Sequence, residues 1–292
     1  MRPYIILFVG VLSVSFAAIF IRLAEAPPLV VATCRMTIAA AVLVPVALAR
    51  SRMNLKNMAL RDMLWLLLSG FFLALHFGLW ITSLDYTSIA SSVVLVTSHP
   101  AFVAVVSYFV WGEKLGRLSV AGIAVALAGV VVINYGGFTF SSQAILGDWL
   151  ALAAGFSMGA YLIIGGRLRE RIDILSYLSV IYTFSAVILL VVTLLSGYSF
   201  FGYSPVTYIM ILLLTLVPQL IGHTCLNLAV RLLPVIMVSV AILGEPVGAT
   251  LLGYFILGEV PTLNEIGGGI LVLGGIFIVM QSARHLRLNP RG

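Results

Sequence analysis

The sequence predicts an all-α polytopic membrane protein of ten transmembrane helices, built as two inverted five-helix repeats with both termini in the cytoplasm. Three observations carry the prediction. Of 292 residues, 62% are hydrophobic and 9% are charged, and the mean hydropathy is +1.17. Ordinary globular chains have roughly 45–50% apolar and about 25% charged residues. The second observation is ten apolar stretches near the ~20 residues that span a bilayer. The third is a duplication. Residues 100–113 read PAFVAVVSYFVWGE and residues 246–259 read PVGATLLGYFILGE, and the offset of 146 runs without a gap through Tyr108/Tyr254, Gly112/Gly258, Glu113/Glu259, Gly122/Gly268 and Gly129/Gly275.

The stretches fall at about 4–24, 29–49, 63–83, 87–110, 118–135, 147–166, 174–196, 205–229, 234–256 and 265–283. The first follows Arg2 and ends near Ala24-Glu25-Ala26, which mimics a signal peptide. Its apolar run of about 18 residues exceeds the ~7–15 of a signal core, so it reads as a membrane helix. Pro27-Pro28, the polar stretch from Arg50 to Arg61, Gly136-Gly137 through Ser142, Arg167 to Asp173, and Gly197 through Pro205 separate the rest. The halves divide as 1–140 and 141–292, and the joints are too short for a soluble domain.

Orientation follows from lysine and arginine. With the N-terminus inside, 14 of the 16 basic residues lie on cytoplasmic segments. The net charge of +6 therefore reports topology, and no nucleic-acid-binding motif accompanies it. Arg22 and Arg35 remain, in helices near the outer ends. Pairing with Glu25 or Asp85, or snorkelling to the surface, is the expectation for both. Because each half holds an odd number of helices, the second copy inserts upside down. Such inverted repeats let secondary transporters alternate between outward-open and inward-open states.

Polar side chains inside the membrane are costly and mark function by default. The third helix sets His76, Trp80 and Ser83 on one face, and the eighth sets Gln219, His223 and Asn227 on one face. The fourth adds Ser91, Ser92, Ser98 and His99, and the ninth adds Ser239 and Glu245. His99 precedes Pro100 and Glu245 precedes Pro246, so the duplication places a titratable residue at equivalent points. At 1.5 Å per residue these lie about 18 Å and about 16 Å along their helices, near the middle of a ~30 Å core. A proline there removes a backbone donor and frees a carbonyl, making Pro100 and Pro246 candidate hinges. Phe72, Phe77, Trp80, Phe102, Phe156 and Tyr161 supply aromatic surface near these faces. Together they suit a substrate with an apolar body and polar ends.

Other features read as architecture. Gly155-x-x-x-Gly159, Gly244-x-x-x-Gly248 and the Gly267 to Gly275 cluster permit close helix approach. The Tyr-Phe pairs are expected to pack, and Glu113 and Glu259 to stabilise loops at helix ends. Cys34 and Cys225 lack metal-site or CxxC spacing and read as small core residues.

The paired P-x(7)-Y-F-x-x-G-E segments, each leading into a glycine-rich helix, resemble the EamA repeat of the drug/metabolite transporter (DMT) superfamily over nearly the whole chain. Within it the sequence is most similar to YddG-type aromatic amino acid exporters. The resemblance implies a central cavity lined by the third, fourth, eighth and ninth helices, with help from the first and sixth, while the fifth and tenth support the periphery. It also implies export of amino acids, aromatic or large neutral, or of related metabolites. Candidate substrate-binding residues are His76, Trp80, His99, Tyr161, Gln219, His223 and Glu245. The expected partners are an amino-acid-like small molecule and the bilayer of the bacterial inner membrane; no nucleic acid, cofactor or metal is expected, and the sequence leaves the oligomeric state open, a monomer being compatible with it. Export of cationic toxins is the alternative substrate class. An intramembrane enzyme would need a nucleophile with its base or a metal cluster, and HExxH, GxSxG and paired Asp motifs are absent. A sensor subunit would need an output domain.

Overall fold

Small polar residues decide where half of the helices begin. The structure, a computed structural model, describes residues 2–50, 58–111, 115–135, 137 and 141–288. Its helices are α1 (Arg2–Ser15, continued by Ala17–Ala24), α2 (Pro28–Arg50), α3 (Leu60–Ser83), α4 (Ile89–Val96, then His99–Trp111), α5 (Arg117–Ile133), α6 (Ser142–Leu168), α7 (Ile174–Leu195), α8 (Pro205–Leu214, Thr215–His223 and Thr224–Leu232), α9 (Val235–Ile242, then Glu245–Leu257) and α10 (Leu263–Leu288). Ser88, Ser141 and Ser204 cap α4, α6 and α8 by accepting from Ser91, Ala144 and Thr207 N–H, and Asp173 caps α7. Thr262 and Glu265 exchange bonds ahead of α10 as a capping box.

Nine of these helices are long and apolar enough to cross a membrane. The remaining one, α5, has 17 residues, about 26 Å at 1.5 Å per residue. Polarity is arranged for lipid: Leu195, Phe109, Phe255 and Leu263 are among the most exposed side chains, whereas Ser69, Ser185, Thr215 and Gln219 are fully buried. The backbone polar groups of a span close within each helix, as a bilayer demands.

Packing repeats between the halves. α3 lies along α6 and α8 along α1; α4 touches α6 and α9 touches α1; α3 meets α7 and α8 meets α2; α2 pairs with α7 and α5 with α10. Exchanging the halves maps this set of contacts onto itself. The α5–α10 seam shows the exchange residue by residue. A Cβ on Gly275 would stand 2.5 Å from the Gly122 carbonyl, and one on Gly129 would stand 2.7 Å from the Gly268 carbonyl. The offset of 146 turns one pair into the other.

Three expectations change. Pro100 and Pro246 do not kink continuous helices. α4 is interrupted at Thr97–Ser98 and α9 at Leu243–Gly244, at equivalent positions, and each proline is the second residue of the segment that follows. A first-turn proline withholds an N–H that no helical carbonyl needs. In α4 the hydroxyls of Thr97 and Ser98 bond the Val93 and Leu95 carbonyls, so those carbonyls are not free to build a site. The Tyr-Phe pairs do not pack inside: Tyr108–Phe109 and Tyr254–Phe255 each stand edge-on at 5.2 Å with Phe109 and Phe255 both 78% exposed, facing outward where lipid would lie. Glu113 lies outside the described residues. Glu259 does tie a loop, pairing with Arg22 at 2.5 Å, which corrects the expected Arg22 partners Glu25 and Asp85.

Candidate functional site

The site grows from α8, whose middle is wound too wide. Residues Thr215–His223 form a π-helix containing Pro218. Proline cannot donate to the preceding turn, and a widened turn is one way to absorb that loss; such turns often occur at functional sites. Gln219, His223 and Asn227 still share the buried face, at 0%, 6% and 2% exposure. Asn227 Nδ2 donates to the His223 carbonyl at 2.7 Å and to the Tyr161 hydroxyl at 2.6 Å, joining α8 to α6.

Opposite, α3 presents His76 and Trp80. Their rings stack at 6.0 Å with planes 15° apart, and the His76 Nδ1–H donates to the Ala154 carbonyl of α6 at 3.1 Å. Phe77 continues the aromatic series, 5.0 Å from the His76 ring and 5.9 Å from His223. Ser83 bonds the Trp80 carbonyl and Ser92, closing the C-terminal end of the α3 face against α4.

Sequence reasoning missed Arg35. It does not snorkel: the side chain is buried, with the guanidinium 4.6 Å from the Phe77 ring centre. Its Nε donates to Gln219 Oε1 at 2.6 Å. The available signal was its position seven residues into α2, too deep for an easy reach to water. Glu245, half-buried at the start of the second α9 segment, interacts electrostatically with Arg35; among the described residues no direct ion pair joins them.

The structure thus gathers Trp80, His76, His223 and Gln219 through Phe77 and Arg35, and Tyr161 joins through Asn227. His99 is buried on α4, its Nδ1 3.4 Å from the Val96 carbonyl, and it senses His76 electrostatically without touching it. Five buried polar atoms here have no hydrogen-bond partner among the described residues: Trp80 Nε1, His99 Nε2, Tyr182 Oη, Gln219 Nε2 and His223 Nδ1. Buried polar atoms are normally bonded, so this concentration marks a place suited to a polar guest. Among the described residues no group of three His, Cys, Asp or Glu side chains gathers as metal ligands.

Phe72, Phe102 and Phe156 stand elsewhere. With Arg61, Arg167 and Arg171 they line a cavity of about 450 Å³ between α3, α4 and α6, where Phe156 meets Phe72 at 6.2 Å and Phe102 at 5.6 Å. None of the seven expected binding residues lines it. Gly159, which does, lies against the His99 backbone carbonyl. On the stretch of α3 that lines this cavity, Ser69 bonds the Tyr177 hydroxyl at 2.9 Å. Beneath, Arg169 is buried against Tyr177, and burial with Arg231 nearby lowers its guanidinium to about 10.

Comparison with known proteins agrees with this architecture. The model of the EamA-like transporter family matches residues 1–135 and 145–281. A protein of Clostridium kluyveri described as an uncharacterized transporter is 25% identical over 87% of this chain and 82% of its own length. A probable amino-acid metabolite efflux pump of Salmonella typhimurium is 26% identical over 94% of this chain and 92% of its own. A solved crystal structure, 22% identical, superposes with a TM-score of 0.82 over 98% of both chains and shares the fold. Two family matches, one per half, on a bundle of membrane-spanning helices make this a multi-pass plasma-membrane protein, and the chain belongs to the EamA-like transporter family.

Proposed function

We propose that the protein exports amino acids, aromatic or large neutral, by alternating access. The observation that carries this reading is the buried polar and aromatic cluster at the meeting of the halves, with α2, α3 and α4 on one side and α6, α7, α8 and α9 on the other. Substrate binds among His76, Trp80, His99, Tyr161, Gln219, His223 and Glu245. The helix interruptions before Pro100 and Pro246 are the hinges. The two halves, 1–140 and 141–292, are inverted copies with cytoplasmic termini, a reading supported by the exchange of packing contacts and by the basic residues. Exchanging their conformations moves the opening from one side to the other.

The relative described as an amino-acid metabolite efflux pump supports the substrate class. Buried Arg35 weighs against cationic toxins, because a desolvated guanidinium at the site repels a second cation. The test is uptake of labelled compounds into proteoliposomes, with a panel of amino acids beside quaternary and polycyclic cations. Saturable amino-acid flux is expected. A panel that moves only cations, or nothing, would overturn the proposal. An imposed pH gradient in the same vesicles separates facilitated from proton-coupled transport.

A further inference from the structure

We propose that Arg35 and Glu245 are the two poles of the substrate site, Arg35 with Gln219 and Tyr182 holding the carboxylate of an α-amino acid and Glu245 holding its ammonium group. This rests on the amino-acid reading above and adds the residue that would discriminate amino acids from amines.

A guanidinium offers five N–H donors in a planar fork matched to carboxylates. Arg35 spends one of them, from Nε, on Gln219, and has no other hydrogen-bond partner among the described residues. Phe77 lies against the guanidinium, so two contacts fix its orientation. Around it stand further buried donors. The Gln219 Nε2 and the Tyr182 hydroxyl are fully buried and lack partners; Tyr182 sits beside the Gln219 amide and within electrostatic reach of Arg35. A cation and two neutral donors converging from α2, α7 and α8 form an anion site.

Glu245 supplies the opposite sign from α9. A half-buried acid within electrostatic reach of a buried arginine would ordinarily close onto it, since a lone charge is costly to bury. Here the two interact without a direct pair. A zwitterion placed between them answers both charges at once and adds no net charge to the membrane interior. The stacked rings of His76 and Trp80 with Phe77 are then available to an apolar side chain. The duplication agrees in one respect: the counterpart of Glu245 is His99, so the negative pole occurs once and gives the site a direction.

Three probes that share one ring test this: L-phenylalanine, phenethylamine without the carboxylate, and 3-phenylpropionate without the amine. Proteoliposome flux of each is compared for wild type, Arg35→Gln, Arg35→Lys and Glu245→Gln. A charged hydrogen bond contributes about 1.5–3 kcal/mol, equivalent to about 10- to 150-fold. Arg35→Gln is expected to lower L-phenylalanine flux at least ~10-fold while phenethylamine flux does not fall, because losing the guanidinium also removes its repulsion of a lone ammonium group; Arg35→Lys retains part of the preference. Glu245→Gln is expected to do the same relative to 3-phenylpropionate. Wild-type selectivity persisting in Arg35→Gln, or an equal loss of all three probes in both Arg35 variants, overturns the two-pole site while leaving amino-acid transport standing. Failure of the wild type to move L-phenylalanine or any other amino acid contradicts the transport reading itself.

Discussion

Arg35 Nε donates to Gln219 Oε1 at 2.6 Å, across 184 residues of sequence and between the two halves of the molecule. Removing the acceptor leaves a cation buried with fewer partners. Gln219→Leu is expected to lower stability by about 3 kcal/mol, in the range for breaking a buried charged contact. Gln219→Glu keeps an acceptor and supplies a charge, and is expected to retain most of it. Chemical unfolding in detergent checks both; equal stability for Gln219→Leu and wild type would show that the contact contributes nothing.

The glycines of α5 and α10 make a sharper contrast between buried and open positions. A Cβ on Gly129 would meet Val272 N at 2.6 Å, whereas nothing lies within 4 Å of one on Gly267 or Gly274. Gly129→Ala is therefore expected to cost about 1–3 kcal/mol through overpacking. Gly267→Ala and Gly274→Ala stay within about 0.5 kcal/mol of wild type. Thermal unfolding of the three variants in one detergent decides it, and a harmless Gly129→Ala would contradict the close approach.

Pro100→Ala and Pro246→Ala probe the hinges. Each proline sits in a first turn, so replacement is expected to change stability by less than about 1 kcal/mol while slowing flux several-fold. Thr97→Val removes the hydroxyl bonded to the Val93 carbonyl and is expected to destabilise by about 1 kcal/mol. Full flux in both proline variants would remove them from the transport cycle.

Pro218 tests whether the wide turn of α8 serves the site. Pro218→Ala restores the missing N–H and permits an ordinary turn, which shifts Gln219 and His223 relative to Arg35 and Phe77. Stability equal to or above wild type with flux reduced at least ~5-fold is expected, because a helix-interior proline costs about 3 kcal/mol. Unaltered flux would assign the turn to packing alone.

Much of this was legible in the chain. Nine spans and a tenth, shorter helix follow from hydropathy, the duplication from a gapless offset, and the buried faces of α3 and α8 from helical spacing, all local or periodic signals. Arg35 was legible only as a basic residue seven positions into its helix, which has the same sequence appearance whether it snorkels or turns inward. Its partner lies in another helix, and only packing brings them together. The π turn hides for a related reason: Pro218 signals a disturbance without saying whether the helix kinks, breaks or widens. Pro100 and Pro246 show the converse, since the interruptions fall two residues earlier, where Thr97 and Ser98 or Leu243 and Gly244 stand. Phe72 lies one turn before His76 and Phe102 one turn after His99, on the same sides of their helices, yet with Phe156 they line a different cavity, a difference of depth that spacing alone left open.

The most direct measurement is counterflow in proteoliposomes. A single site that opens to one side at a time returns loaded from the far side, so vesicles preloaded with unlabelled L-phenylalanine should accumulate labelled L-phenylalanine transiently above its outside concentration, and alanine at His76, Trp80 or His223 should suppress the overshoot. Uptake that merely equilibrates, with no overshoot and no effect of those substitutions, would contradict alternating access at this cluster.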